Sequence, residues 1–139
     1  MGAPLLLLPV LAGAAGCGNR ALHVRMTIAP DANGNAPVIL SVVFVKNPAL
    51  QQKVMELSAK QWFAKREQLL RDNRREITES YYEFVPGQQV PQLDYKIASG
   101  TSQGILFVNY GGPSPHRYVF DTARPVQVSF GSRGVTLSP

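Results

Sequence analysis

The sequence predicts an all-β domain, a two-sheet β-sandwich of about eight strands with a short helical insertion after the second strand. Two observations lead to this fold class. Beyond Arg75, apolar residues recur with period two in short segments that Pro and Gly separate every ~8 to 12 residues, as in sandwiches and barrels. Between residues 47 and 73 they recur instead at helical spacing. We expect two antiparallel sheets packed face to face.

The N-terminal residues predict a lipoprotein signal. Residues 5–16 are apolar or small and carry no charge, and they end directly before Cys17, the only cysteine. Such a segment is too short for a spanning helix, which needs ~20 residues. We therefore divide the chain into a signal peptide (1–16), a lipidated N-terminus and tether (17–20) and a sandwich domain (21–139). The alternative is an ordinary signal peptide whose cysteine is incidental.

The expected modification of Cys17 is a covalent diacylglyceryl group with an N-acyl chain, and no other cofactor is expected. Each buried methylene of such chains contributes ~0.8 kcal/mol, which keeps a protein on its membrane. Gly18 follows the cysteine, and the absence of aspartate at this position favours the periplasmic face of the outer membrane in a Gram-negative cell. Residues 18–20, if extended, give a tether of only ~10 to 14 Å.

Two strands joined by a polar loop open the domain. Residues 21–29 alternate apolar and polar side chains, which is typical of a half-buried strand. Residues 38–45 are apolar on both faces, as in a central strand, and we expect this strand to be the most buried. The intervening PDANGN is dense in turn formers, and Asn33-Gly34 can adopt positive φ at little cost.

Two helices are predicted after the second strand. Asn47 can cap the first, with Pro48 at its first position, and Ser58 can cap a second that runs to about residue 73 and carries Trp62 on its apolar side. Its basic residues could contact lipid head groups or peptidoglycan, or they could simply be solvated. They are Lys60, Lys65, Arg66, Arg71, Arg74 and Arg75.

The remaining strands are predicted over residues 76–85, 89–97, 104–110, 117–121, 126–130 and 134–137. Pro86-Gly87 predicts a tight turn between the first two of these. Pro91 lacks a backbone N–H, so the segment that contains it is expected at a sheet edge.

No convincing catalytic or metal-binding set is found, and we expect no enzyme. His23 and His116 have no ligand partners at metal-site spacing, and both are expected at the surface. Ser102 lies in a Gly-x-Ser-x-Gly pattern, but a strand rather than a helix follows it. Glu79 and Glu83 share one face of a strand, which we expect to be the solvated face. The net charge of +5 favours an acidic surface without requiring nucleic acid, which is not an expected partner.

Surface recognition remains, and two hypotheses describe it. The first places the contact in the loop after the first strand, although this loop could also be an inert hairpin connection. The loop consists of Pro30, Asp31, Ala32, Asn33, Gly34 and Asn35. The second is a periplasmic lipoprotein that binds carbohydrate or peptidoglycan, motivated by Trp62, by the basic excess and by several aromatic residues in strands. At strand spacing such aromatics also fit a core. They are Tyr81, Tyr82, Phe107, Tyr110 and Tyr118.

Taken in order, several motifs resemble those of the TssJ lipoproteins of type VI secretion systems. They are the lipobox before Cys17, the loop Asp-Ala-Asn-Gly-Asn running into Ala36-Pro37-Val38, the strand residues 42–45, the helical insertion with Trp62 and Leu70, and the segment 84–88. The resemblance covers nearly the whole chain after the signal peptide.

This resemblance implies a transthyretin-like sandwich of two four-stranded sheets with added helices. It also implies a non-enzymatic outer-membrane lipoprotein that binds the periplasmic C-terminal domain of the inner-membrane protein TssM and recruits the TssJLM membrane complex. The contact with TssM would lie in the loop between the first two strands, residues 30–35. Because this loop is compact and polar, edge strands or the basic helix remain as further contributors.

Overall fold

The computed structural model describes Gly2 and residues 20–139. The predicted signal peptide and the lipidation site at Cys17 therefore lie outside the described residues. The strands are β1 (Arg20–Ile28), β2 (Val38–Val45), β3 (Ile77–Phe84), β4 (Leu93–Ile97), β5 (Gln103–Val108), β6 (Arg117–Asp121), β7 (Val126–Phe130) and β8 (Val135–Ser138). The helices are α1 (Pro48–Met55) and α2 (Ala59–Asp72), and a 3-10 turn spans Ala32–Asn35.

The eight strands form two four-stranded sheets with the orders β4-β1-β7-β8 and β3-β2-β5-β6. This confirms the predicted sandwich and its helical insertion after the second strand. The expectation of purely antiparallel sheets was wrong, because β1 and β7 pair in parallel, with Val24 opposite Val126. Alternation along a strand reports which face is buried, but it carries no information on the direction of the neighbouring strand.

The main core lies between the sheets. Alternate residues of β1 point inward, and residues such as Leu22 and Val24 are almost fully buried. A second apolar cluster lies on the outer face of β2 and β5, beneath the two helices, and includes Val43, Trp62 and Phe107. Two buried faces explain why every residue of β2 except Ser41 is apolar, and its predicted central position is confirmed.

Both helices begin at the predicted caps. The Asn47 side-chain oxygen accepts hydrogen bonds from the backbone N–H groups of Ala49 and Leu50 at 2.9 and 3.1 Å. Ser58 and Gln61 form a reciprocal capping box at the start of α2. These bonds satisfy N–H groups that no helical carbonyl can reach, so they fix where each helix begins.

Helix α2 covers β3 through one partly buried ion pair. The Arg66 guanidinium donates two hydrogen bonds to the Glu79 carboxylate, to which the buried Ser41 hydroxyl also donates at 2.9 Å. The Glu79 side chain is only 6% exposed, and Arg66 also lies over the Tyr81 ring at 4.6 Å. The predicted solvated position of Glu79 was therefore wrong, because the helix lies over this face of the strand.

Strand β4 lies at a sheet edge, as Pro91 predicted. It is shorter than the predicted 89–97, since only an isolated bridge between Gln89 and Thr27 precedes Leu93. The hydroxyl groups of Tyr82 in β3 and Tyr95 in β4 lie 2.8 Å apart and join the two sheets at this side. Burial raises the pKa of Tyr95 above its usual value, so its hydroxyl stays protonated.

The sandwich has two ends of different construction. We call one the loop end, formed by the connecting segments 29–37, 85–92, 109–116 and 131–134. We call the other the tether end, where β1 begins at Arg20 beside segments 45–47, 73–76, 98–102 and 121–125. Strand β1 runs the full distance between them, about 30 Å at ~3.3 Å per residue.

Candidate functional site at the loop end

The predicted recognition loop, residues 30–35, forms one part of the loop end. Its 3-10 turn places three consecutive residues in the left-handed region, with φ of 51° at Asn33, 60° at Gly34 and 68° at Asn35. The predicted positive φ at Asn33-Gly34 is confirmed. Asparagine and glycine adopt this conformation more readily than other residues, which explains the residue types in this turn.

Hydrogen bonds hold this loop in one shape. The Asn33 side-chain amide donates to the Pro37 carbonyl at 2.8 Å, and the Asn33 backbone N–H donates to the Gly131 carbonyl at 3.0 Å. The same Gly131 carbonyl accepts a hydrogen bond from the Tyr110 hydroxyl at 2.8 Å. Ala32 is completely buried beneath the turn. The loop is thus fastened to the β7–β8 connection and to the core.

The loop is not the hairpin connection that one interpretation expected. It links β1 in one sheet to β2 in the other, so it closes the end of the sandwich. Its outward residues Pro30, Asp31, Gly34 and Asn35 are exposed, while the backbone behind them is largely hydrogen-bonded. The loop therefore presents a preformed polar surface, which would lose little conformational entropy on binding.

The segment Gly111–Pro115 stands beside this loop and folds over His116. A shallow groove between them is lined by Asn33, Gly34, Tyr110, residues 111–114, His116, Ser132 and Arg133. The expectation that His116 is a surface residue was wrong, since it is only 6% exposed. Its Nε2 lies 2.8 Å from the Gly111 carbonyl, and its ring packs against Tyr110 with centroids 5.8 Å apart. The long turn after β5 closes over the imidazole.

Val85 supplies an apolar tip that sequence reasoning missed. Its side chain is 60% exposed, and the turn that follows lies against the recognition loop, with the Gly87 N–H donating to the Ala29 carbonyl at 3.0 Å. The only available signal was an apolar residue directly before Pro86-Gly87, because nothing local to residue 85 indicates that the following turn lies against the recognition loop. The loop end therefore combines a polar turn with a large apolar side chain that is exposed.

Solved structures of secretion lipoproteins share this architecture. The T6SS lipoprotein TssJ1 from Pseudomonas aeruginosa is similar at a TM-score of 0.66 and 14% identity, over 86% of this chain and 95% of that chain. Serratia marcescens Lip, a membrane-bound component of the type VI secretion system, is similar at a TM-score of 0.63 and 11% identity, over 86% and 97%. The chain has the fold of the TssJ lipoproteins.

A further match is a chain in the structure of the T6SS protein TssM C-terminal domain (869-1107) from EAEC. It has a TM-score of 0.60 and 14% identity, over 88% of this chain and 98% of that chain. No protein-family model matches the sequence. No curated protein matches it either.

Within this TssJ fold, the other candidate residues do not converge on the loop end. Ser102 is exposed in the loop that enters β5, at the tether end, and His23 lies on the solvated face of β1 against Asp94. Residues 20–139 contain no group of three or more His, Cys, Asp or Glu side chains that could hold a metal ion. No helix in the described part of the chain is long and apolar enough to span a bilayer.

Most of the aromatic residues that suggested sugar binding serve the core, whereas Tyr81 is 43% exposed and carries the Arg66 guanidinium on its ring. Trp62 has no exposed surface and stacks on Phe107, with ring centroids 5.0 Å apart and planes within 6°. The hydroxyl groups of Tyr82 and Tyr110 form the hydrogen bonds described above, with Tyr95 and with the Gly131 carbonyl. A side chain without exposed surface cannot stack on a saccharide, so Trp62 no longer supports the carbohydrate-binding hypothesis.

Proposed function

We propose that this protein belongs to the TssJ family and is a structural lipoprotein of a type VI secretion membrane complex. It is anchored in the outer membrane through lipid on Cys17 and presents its loop end to the periplasmic C-terminal domain of a TssM-like inner-membrane protein. Recruitment of the TssJLM complex is its role, and it catalyses no reaction. The observation that carries this proposal is the preformed turn at residues 30–35, at the end of the domain opposite to the tether.

Strand β1 connects the proposed anchor at one end of the domain to the recognition loop at the other. Cys17 precedes Arg20 by three residues, so the lipid must lie close to the tether end, within the ~10 to 14 Å that residues 18–20 can span. Since β1 is about 30 Å long, the recognition loop lies on the far side of the domain from the lipid. A partner that approaches from the inner membrane would meet this loop first.

The likeness to lipoprotein TssJ1 and to the membrane-bound Lip protein supports both the anchor and the secretion role. The match within the structure of the TssM C-terminal domain supports the choice of TssM as partner. A rigid loop also suits a partner-binding role, because ordering a flexible loop would reduce the free energy available for binding.

Replacing Asn33, Gly34 and Asn35 together with alanine is expected to weaken binding to the TssM-like domain by at least tenfold, about 1.4 kcal/mol. The three alanines remove the exposed amide of Asn35, break the bond from Asn33 to Pro37 and disfavour the left-handed turn. Stability should fall by roughly 2 to 3 kcal/mol, because the alanines occupy three positions at positive φ and one hydrogen bond is lost. Calorimetric titration of residues 20–139 against the periplasmic domain measures the affinity.

A matched control changes the opposite end. Ser99→Ala with Ser102→Ala alters two exposed loop residues at the tether end and should leave the affinity unchanged. Val85→Asp, which places a charge at the exposed apolar tip of the turn after β3, should weaken binding as well. If the wild-type domain is folded and does not bind, the proposed partner is wrong. If the triple variant binds normally, the contact lies on another surface.

Metabolic labelling with a palmitate analogue tests the anchor independently of the partner. The native full-length chain is expected to incorporate label and to fractionate with the outer membrane, because Cys17 provides the thiol that accepts the diacylglyceryl group. The Cys17→Ser chain should incorporate none and should be released from the membrane. Equal labelling of the two chains would contradict the anchor while leaving the TssM interaction open to its own test.

A further inference from the structure

The positive charge of this protein is concentrated at one end of the domain. All 14 Lys and Arg and all 9 Asp and Glu residues lie within residues 20–139, which therefore carry the whole net charge of +5. Strand register assigns seven of these cations and three carboxylates to the tether end and the last turn of α2, an excess of four. The cations are Arg20, Lys46, Arg71, Arg74, Arg75, Lys96 and Arg124, and the carboxylates are Asp72, Glu76 and Asp121.

The loop end has no such excess. Its segments contain one carboxylate, Asp31, and one cation, Arg133. The adjoining ends of strands and helices add Lys60 and Arg117 against Glu56 and Glu83, so the charges balance. The net positive charge is therefore distributed unevenly along the long axis of the domain. It is strongest where the polypeptide arrives from Cys17 and absent where the recognition loop lies.

One cation of the tether end has a structural role, and most of the others are free to bind. The Arg20 guanidinium donates to the Thr122 hydroxyl at 2.9 Å and to the Thr101 carbonyl at 3.1 Å, which fastens the start of β1 to the two neighbouring loops. Five exposed cations make no side-chain hydrogen bond or ion pair with any described residue. These five are Lys46, Arg74, Arg75, Lys96 and Arg124.

We propose that the tether end is a membrane-contacting surface whose free cations bind the phosphates of anionic phospholipid head groups. This inference rests on the proposed anchor, since lipid on Cys17 would hold this end within ~10 to 14 Å of the bilayer. At that distance, only about one Debye length, the attraction between basic side chains and an anionic surface is not fully screened. Several cations spread around one end also resist tilting, so the contact holds β1 upright and the loop end away from the membrane.

Vesicle co-sedimentation of residues 20–139 without lipid tests the surface apart from the anchor. These residues contain all eight strands, both helices and both core clusters, so they form the folded unit. We expect binding to vesicles of phosphatidylethanolamine and phosphatidylglycerol at low salt, little binding to pure phosphatidylcholine, and loss of binding as ionic strength rises.

Two variants that each remove three positive charges distinguish binding by this surface from nonspecific electrostatic attraction of the whole domain. Arg74→Gln with Arg75→Gln and Arg124→Gln removes three free cations of the tether end, and should weaken vesicle binding on the order of 100-fold, because each basic residue at an anionic surface contributes roughly a factor of five. Lys60→Gln with Lys65→Gln and Arg133→Gln removes three cations elsewhere, and should weaken it less than fivefold.

Equal weakening by both variants, or none by either, would overturn the proposal. Displacement by inorganic phosphate at constant ionic strength would also overturn it, by indicating a discrete phosphate site instead of a bilayer surface. None of these outcomes depends on TssM binding or on labelling of Cys17, so a failure here is distinct from a failure of the proposed function.

Discussion

Trp62→Ala is expected to lower the free energy of unfolding by about 4 kcal/mol, the range for truncating a fully buried tryptophan. Trp62 has no exposed surface and stacks on Phe107, which is itself completely buried. The indole is the largest side chain between α2 and the outer face of β5, so its removal leaves a cavity that the helix cannot fill. Urea denaturation followed by circular dichroism measures the loss.

Trp62→Phe is the matched control. The indole Nε1–H is buried and finds no acceptor among the described residues, so phenylalanine removes an unsatisfied donor and keeps a ring against Phe107. We expect this variant to lose less than half as much stability as the alanine variant. If both variants lose the same stability, the indole N–H of the native protein donates a stabilising hydrogen bond, contrary to the structure. If Trp62→Ala loses less than about 1 kcal/mol, α2 does not stabilise the sandwich.

Local patterns were sufficient to predict much of the secondary structure. The bounds of β2, β6 and β7 agree with the predicted residues 38–45, 117–121 and 126–130. Both helix caps were also predicted, because a cap depends on side chains within three residues of the backbone it satisfies. Alternation, caps and turn residues are properties of short segments, and such properties survive whatever the segment packs against.

Errors arose where burial depends on residues far along the chain. Glu79 looked like a solvated strand residue, but α2 lies over it and Arg66 pairs with it. His116 looked exposed beside its prolines, but the turn from Gly111 folds back over the ring. In both cases the covering element packs through contacts that periodicity within one strand does not record.

The candidate site was predicted only in part. The turn at residues 30–35 and its positive φ followed from Asn33-Gly34, because glycine and asparagine reveal such backbone conformations. The exposed Val85 was missed, since the turn after it reaches the recognition loop only because the β3–β4 connection crosses from one sheet to the other. The charge gradient along β1 was missed for the same reason, because it appears only when strand directions are known.

Glu79→Leu is expected to lower the free energy of unfolding by roughly 2 kcal/mol, since the Arg66 side chain that loses its partner is only 23% exposed and is therefore incompletely solvated. Arg66 would lose both of its hydrogen bonds to the carboxylate, and the buried Ser41 hydroxyl would lose its acceptor. Intrinsic fluorescence of Trp62, the only tryptophan, follows unfolding beside this pair.

Glu83→Leu provides the control, because it makes the same change on the same strand at an exposed position and should alter stability by no more than about 0.5 kcal/mol. Arg66→Met with Glu79→Leu removes both charges, and is expected to lose less than the two single variants together, since neither charge is left unpaired. Additive losses would show that the pair is not coupled, and that apolar contacts such as that of Trp62 with Phe107 hold α2 on the sheet.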